Sequence, residues 1–314
     1  MSTRRFLRLA GLVLSFLALA WIGLRFVQSG ALDLLGHASV TPLRLAMILL
    51  GGACAYAATM LLPGLAWWRM LVSLSPSRPP AGQTLGTYAV SQFGKYLPGN
   101  VAHYALRHVW SRRYGIPHES LALASLLEAG LLVAGALALI ATIGVRLPAL
   151  MRIVDPRIAM ALVVAAIAVL VIALYWLRHR GTFRHLHVPA LPPSMLLACF
   201  ACYCVFFAAC ALLVIALAHM LDFAIASPSL VFAATAASWL AGFVVVGAPA
   251  GLGVREAAFV TLTGAALGED RALLLIGLFR IVTFLGDTLF MAAGAAILRI
   301  APAAAVSEPR DARS

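Results

Sequence analysis

SQFGKYLPGN (residues 91–100) and VGAPAGLGVRE (residues 246–256) each interrupt a long apolar segment with proline and glycine. A membrane helix broken in this way frees backbone N–H and C=O groups, which hydrocarbon cannot satisfy. Such breaks are tolerated where the unwound backbone lines a cavity, and paired breaks in two halves of a chain are typical of transporter binding sites. The two stretches therefore predict a central site built from unwound backbone.

The composition is that of a membrane protein. Of the 314 residues, 63% are hydrophobic and 11% are charged, whereas about 25% of the residues in soluble domains are charged. The apolar runs are long, unlike the short alternating segments of barrel strands. The net charge of +12 comes almost wholly from arginine, since Lys95 is the only lysine. We interpret it as arginine beside anionic lipid headgroups, and we expect no nucleic-acid partner.

The apolar runs predict an all-α polytopic membrane protein with eight hydrophobic elements. Two of these are re-entrant hairpins of half-helices around the breaks, at 83–114 and 229–268. We expect Pro63 to kink the second span, and Trp67 and Trp68 to lie at a membrane interface. The other six elements are full transmembrane helices, at about 7–27, 43–74, 119–145, 158–177, 194–219 and 271–299.

The distribution of arginine predicts the orientation of these elements. If 83–114 dips in from the cytoplasmic side, the N-terminus, the arginine-rich 178–184 loop and the C-terminus all face the cytoplasm. Residues 1–145 and 158–299 then have the same order of elements with opposite orientation, with the second hairpin entering from outside. That is an inverted-topology repeat, which many secondary transporters share. Residues 300–314 are expected to form a disordered cytoplasmic tail.

The first break has the composition of an anion site. Pro98 and Gly99 end one helix, and Asn100 is a good N-cap for a second helix that starts at Val101. The free N–H groups of that helix would lie at membrane depth and favour an anion such as a lipid phosphate. Lys95 lies just before the break. It is either a ligand of that anion or a lysine that reaches the interface over a structural kink.

The second break predicts a similar arrangement. Pro249, Gly251 and Gly253 prevent a continuous helix, and a new helix is expected to begin near Val254. Its first turn contains Arg255 and Glu256. Glu256 suits the positive end of a helix, but Arg255 does not. We therefore expect Arg255 to have an anionic partner, either a headgroup phosphate or Glu256 itself.

Further ionisable residues lie within or near intact spans, where such groups usually face the interior and pair. The candidate pairs are Arg280 with either Glu128 or Asp287, and Arg107 with Glu256. Glu128 and Asp287 are candidates either for structural ion pairs or for proton coupling. His103 and Tyr104, near the first break, are expected to line the cavity.

No catalytic or metal-binding pattern stands out. A nucleophile elbow, a P-loop and a zinc-ligand spacing are all missing from the sequence. The five cysteines lie inside apolar runs, where packing explains them. We therefore predict a protein that is not an enzyme and that needs no metal or cofactor.

The two broken motifs resemble a known family. The run GKYLPGN (94–100) followed by Arg107, together with PAGLGVRE (249–256), resembles the lysylphosphatidylglycerol synthase transmembrane region, also called the flippase-like domain family. The resemblance implies a polytopic protein of lipid translocation, whose lipid could be a phospholipid or a polyprenyl- or hopanoid-type lipid. Some members carry a fused aminoacyl transferase domain, which is not expected here because the chain stops after the last span. Ala250 replaces a glycine that is frequent in the family, and we expect this change to be tolerated.

Together these patterns predict a flippase or transporter of an anionic, phosphate-bearing lipid in a bacterial cytoplasmic (inner) membrane. The headgroup would enter between the half-helices, where Lys95, Asn100, Arg255 and Arg280 would receive its phosphate. Two alternatives remain open at this point. One is a membrane-embedded lipid-modifying enzyme, and the other is a non-transporting accessory subunit that binds a lipid-synthesis enzyme.

Overall fold

The computed structural model describes residues 41–97, 102–144, 191–245 and 249–300, together with Leu24 and Leu34. Outside these residues lie all of the predicted span at 7–27 except Leu24, the predicted span at 158–177, most of the predicted tail, and Pro98, Gly99 and Asn100. Helices are numbered below in chain order within the described part of the chain, where all regular secondary structure is helical.

The second predicted span consists of two helices joined at Met60, α1 (Pro42–Thr59) and α2 (Leu61–Leu74). Pro63 has no N–H to donate to the carbonyl of Thr59 one turn earlier, and its ring crowds that carbonyl. The helix is therefore interrupted at Met60, one turn before the proline, and the predicted kink stays a prediction. The prediction that Trp67 lies at a membrane interface is wrong. Its side chain is only 1% exposed, because it packs inside the bundle against Arg107.

Three further helices match predicted spans to within a few residues. They are α5 (His118–Gly144), α6 (Pro193–Met220) and α9 (Glu269–Ile300). Together with the continuous segment Pro42–Leu74, they make four helical segments in the described part that are long and apolar enough to cross a membrane. The protein is thus a polytopic helical membrane protein.

The two broken segments consist of short helices on either side of each break. The first contains α3 (Ala81–Gln92), a 3₁₀ turn (Phe93–Tyr96) and α4 (Ala102–Ser111). The second contains α7 (Pro228–Val244), a 3₁₀ turn (Pro249–Gly251) and α8 (Val254–Leu267). In each segment the two helices pack against each other, and the two 3₁₀ turns lie side by side. Both breaks therefore meet inside the bundle.

The packing of the broken segments is reciprocal. Helix α3 of the first segment packs along α9, and α7 of the second segment packs along α5. Small residues allow the close approach of α3 to α9. A Cβ atom on Gly294 would lie 2.5 Å from Cβ of Ala89 and 2.9 Å from the carbonyl oxygen of Gly86. Each broken segment is thus held by the last long helix of the other half of the chain.

Candidate functional site

Two adjoining cavities lie where the breaks meet, with volumes of about 40 and 60 Å³. The smaller is lined by Ser238, Glu256 and Arg280, and the larger by Lys95 and Glu128. Both cavities share four lining residues, which are Tyr56, Phe206, Trp239 and Arg255. Since a water molecule needs about 10–15 Å³ of such volume, each cavity has room for only a few waters. The free space around the charged side chains is therefore small in the described conformation.

Lys95 at the first break is paired with Asp287 of α9. Its Nζ lies 2.8 Å from Oδ1 and 2.7 Å from Oδ2 of Asp287, and the hydroxyl of Tyr96 donates to Oδ2 at 2.7 Å. Asp287 is 1% exposed, so three donor contacts replace water around a buried carboxylate. Lys95 lines the larger cavity as predicted, but with its charge already compensated.

A second ion pair joins α4, the second helix of the first broken segment, to α5. Arg107 of α4 pairs with Glu128, which also accepts a hydrogen bond from the hydroxyl of Tyr88 at 3.0 Å. The guanidinium packs over the rings of Tyr88 and Trp67, at 3.9 and 4.6 Å from their centroids. The predicted pairing of Arg107 with Glu256 is therefore wrong. Helix α4 packs against α5, which brings Glu128 to Arg107.

A third ion pair joins α8, the second helix of the second broken segment, to α9. Nε of Arg280 lies 3.2 Å from Oε1 of Glu256, and its Nη2 donates to the carbonyl of Ala250 at 2.8 Å. The predicted partners of Arg280, Glu128 and Asp287, are therefore wrong. Arg280 and Asp287 do share a helix, but seven residues separate them by about 10 Å along its axis. Each therefore meets a different break.

The second and third pairs are equivalent in position and opposite in charge. In the first half, the cation Arg107 is on the broken segment and the anion Glu128 is on the following long helix. In the second half, the anion Glu256 is on the broken segment and the cation Arg280 is on the following long helix. These two pairs join elements within one half, whereas Lys95 and Asp287 join the two halves. The structural ion-pair alternative accounts for Glu128 and Asp287, and proton coupling through them stays a prediction.

Arg255 differs from these cations. Within the described residues no carboxylate lies within salt-bridge distance of it, and its buried Nε has no hydrogen-bond partner. Its guanidinium faces the ring of Trp239 at 5.1 Å from the centroid. Glycine makes the space for it, since a Cβ atom on either Gly242 or Gly251 would lie 2.7 Å from Nε. The predicted partnership with Glu256 is wrong, because Arg280 takes that carboxylate.

The backbone of the second break follows the sequence prediction closely. Helix α8 begins at Val254, with Gly253 as its N-cap at φ 82°. The turn before it needs two left-handed residues, Ala250 at φ 50° and Gly251 at φ 69°. Pro249 begins that turn. The left-handed position of Ala250 explains why glycine suits this site, since a Cβ atom is strained there.

Sequence reasoning missed several residues of the site. Tyr88, Tyr96 and Ser91 complete the ion pairs, the last by accepting a hydrogen bond from Nε of Arg107 at 3.2 Å. Trp239 forms the wall behind Arg255. Ser91 and Tyr96 lie within the first broken motif, but residue type alone does not indicate their roles. Tyr88 and Trp239 lie in apolar helices, where an aromatic side chain usually only packs. His103 and Tyr104 line the larger cavity as predicted, and among the described residues the buried Nδ1 of His103 has no hydrogen-bond partner.

The described site carries one excess positive charge. The cations are Lys95, Arg107, Arg255 and Arg280, and the carboxylates are Glu128, Glu256 and Asp287. Since each carboxylate already has a cationic partner, the excess belongs to Arg255. Arg255 is therefore the cation of the described site that has no carboxylate partner.

Comparison with known proteins identifies the family of this chain. Curated protein sequences give no match to this chain. Residues 8–290 match the family described as the lysylphosphatidylglycerol synthase TM region, and the matched range includes both broken segments and all three ion pairs. This protein belongs to the family of lysylphosphatidylglycerol synthase transmembrane regions.

Proposed function

We propose that this protein moves an anionic, phosphate-bearing lipid across a bacterial inner membrane, with both termini on the cytoplasmic side. The family's description gives the membrane-lipid context. The single observation that carries the proposal is Arg255, a half-buried cation at the meeting point of two cavities without a carboxylate partner among the described residues.

A charged side chain inside a membrane protein is costly, and such residues usually pair or bind a substrate. Arg255 lies in the first turn of α8, where the free N–H groups and the positive end of the helix dipole raise the cost of a cation. The same features attract an anion, because the N-terminus of a helix is a ready-made phosphate site. A phosphate beside Arg255 would remove the excess charge.

Arg280 and Lys95 are two further cations that line the same cavities as Arg255. Arg280 lines the smaller cavity together with Arg255, and Lys95 lines the larger one. Each is held by a carboxylate, so each could turn toward a bound phosphate only if its own pair loosened. Arg255 is therefore the first residue to bind the phosphate. Arg280 and Lys95 bind it only after their own ion pairs have loosened.

Movement follows from the arrangement of the two halves. If residues 1–145 and 158–299 form inverted repeats with re-entrant hairpins, a two-fold relation accounts for the reciprocal packing of α3 on α9 and α7 on α5. The cavities are too small for a headgroup. The halves would therefore rock apart on one side at a time, and the Lys95–Asp287 pair, which joins them, would loosen in each cycle.

The test is lipid translocation by purified protein in proteoliposomes, with headgroup-labelled phosphatidylglycerol and a membrane-impermeant quencher. The full-length protein should speed exposure of the label, and Arg255→Met should reduce the rate to that of protein-free vesicles. Arg271→Gln removes an exposed arginine at the start of α9 and should leave the rate unchanged. Translocation by Arg255→Met at the full-length rate would refute the site. A full-length rate equal to that of protein-free vesicles would favour an accessory role.

A further inference from the structure

An apolar groove runs along the outer surface of the bundle between the start of α8 and the middle of α9. Its volume is about 420 Å³, and its walls include Leu252, Ile281, Phe284 and Leu285. The side chains of Ile281 and Phe284 are 45% and 46% exposed. Ile281, Phe284 and Leu285 all lie well away from both ends of α9. The groove therefore faces the hydrocarbon part of the bilayer.

The inner end of the groove meets the polar site. Glu256, Ile276 and Arg280 line both this groove and the smaller of the two cavities. The Arg280–Glu256 ion pair therefore stands between a polar compartment that contains Arg255 and an apolar one that opens to lipid. Within the part of the chain that the structure describes, the buried Oε2 of Glu256 has no hydrogen-bond partner. The carboxylate of this pair is thus incompletely bonded.

The position of the groove indicates its occupant. A lipid whose phosphate reaches Arg255 must leave its hydrocarbon chains in an apolar environment, and the groove is the apolar space that shares walls with the Arg255 cavity. The bilayer is as apolar as the groove, so a chain gains little free energy from the groove alone. Residence in the groove should therefore depend on the headgroup contact.

Resting on the function proposed above, we infer that this groove holds one hydrocarbon chain of the lipid whose phosphate binds at Arg255. The Arg280–Glu256 pair separates headgroup from chain while the site is empty. It opens sideways when a lipid binds, so that one lipid spans the gap with its headgroup in the cavity and its chain in the groove. The groove makes the second broken segment and α9 the lateral entrance of the protein.

The experiment uses the full chain in phosphatidylcholine nanodiscs that contain phosphatidylglycerol with a diazirine within one acyl chain. After illumination, mass spectrometry of α9 peptides measures the labelling of residues 276–285. The specific part is the labelling that excess unlabelled phosphatidylglycerol removes and excess phosphatidylcholine does not. The variants are Ile281→Trp, which fills the groove, and Leu289→Trp, which places the same side chain at an exposed site on α9 outside the groove lining.

We expect specific labelling of the wild-type groove, a several-fold loss in Ile281→Trp, and no loss in Leu289→Trp. Arg255→Met should reduce the specific labelling as strongly as Ile281→Trp, although Arg255 does not line the groove. Labelling that phosphatidylcholine displaces equally well, or that survives in Ile281→Trp or Arg255→Met, overturns the inference.

Translocation measured on the same preparations separates this result from the proposed function. Specific, Arg255-dependent labelling without translocation would support the chain site and refute transport. Translocation without specific labelling would refute the chain site and leave transport in place.

Discussion

Lys95 and Asp287 are 192 residues apart in the sequence, and their side chains meet at 2.8 Å between Nζ and Oδ1. The lysine comes from the first break and the aspartate from the last long helix, so this bond fastens the two halves of the chain to each other. Tyr96 donates to the same carboxylate at 2.7 Å. Asp287 therefore holds both polar side chains at the end of the first 3₁₀ turn in place.

The first prediction concerns the strength of this bond. Asp287→Asn leaves Lys95 without its carboxylate, and the free energy of unfolding should fall by about 3 kcal/mol, as for other buried pairs that lose one partner. The second single variant is Lys95→Met. In the double variant Lys95→Met/Asp287→Asn neither charge remains, so its loss of unfolding free energy should be smaller than the sum of the losses in the two single variants. Thermal unfolding of purified protein in detergent measures the stability of all three variants.

Glu119→Gln provides the control for that cycle, because Glu119 is an exposed carboxylate in the first turn of α5. Its effect should stay within about 0.5–1 kcal/mol. Additive losses in the double variant would mean that Lys95 and Asp287 do not stabilise each other.

The second prediction separates stability from function at Arg255. This half-buried cation has no carboxylate partner among the described residues, so Arg255→Met removes a partly desolvated charge while keeping an apolar stem of similar length. The variant should be more stable by about 1 kcal/mol, the usual trade-off at a functional site. Its melting temperature without lipid, compared with that of the wild type, measures the effect. A marked loss of stability would show that Arg255 is a structural residue.

The third prediction concerns the strained turn of the second break. Ala250 has φ 50° and ψ 23°, a left-handed conformation that costs an L-residue about 1–2 kcal/mol. Ala250→Gly should therefore stabilise the protein by about 1 kcal/mol after the entropy of glycine is deducted. The matched control is Ala55→Gly, the same change at an exposed position inside α1, which should destabilise by about 1 kcal/mol. If both variants shift the melting temperature in the same direction, the backbone at Ala250 is not strained.

The fourth prediction concerns the crossing of α3 and α9. Gly294→Ala would place a methyl group 2.9 Å from the carbonyl of Gly86, and such overpacking should cost about 1–3 kcal/mol. Translocation should fall as well, since α9 carries both Arg280 and Asp287. Gly51→Ala is the control, because no atom of the described residues outside its own helix and chain neighbours lies within 4 Å of a Cβ at that position. If neither Gly294→Ala nor Gly51→Ala lowers stability or translocation, the close crossing of α3 and α9 is not required for either.

Much of the architecture was accessible from the sequence because it depends on local chemistry. Long apolar runs can only be buried in lipid or in one another, which gave three spans to within a few residues. Proline removes a backbone donor and glycine permits left-handed turns, so both breaks and the start of α8 at Val254 could be placed. The prediction that ionisable residues would pair inside the bundle was also right.

The identity of the partners could not be predicted from the sequence. Each candidate pairing rested on residue type and span number, whereas the observed pairs depend on which helix lies beside which break. The position of Trp67 failed for the same reason, since an indole near a predicted span end fits an interface as well as the face of a buried arginine.

The sequence by itself determined where the backbone breaks and that charge would gather there, because backbone geometry and desolvation act on each residue where it stands. Only the tertiary structure decided how the charges divide. Three carboxylates are matched with Lys95, Arg107 and Arg280, and Arg255 is left over. Pairing depends on distances of a few ångströms between residues far apart in the chain, and those distances are set only when the helices pack.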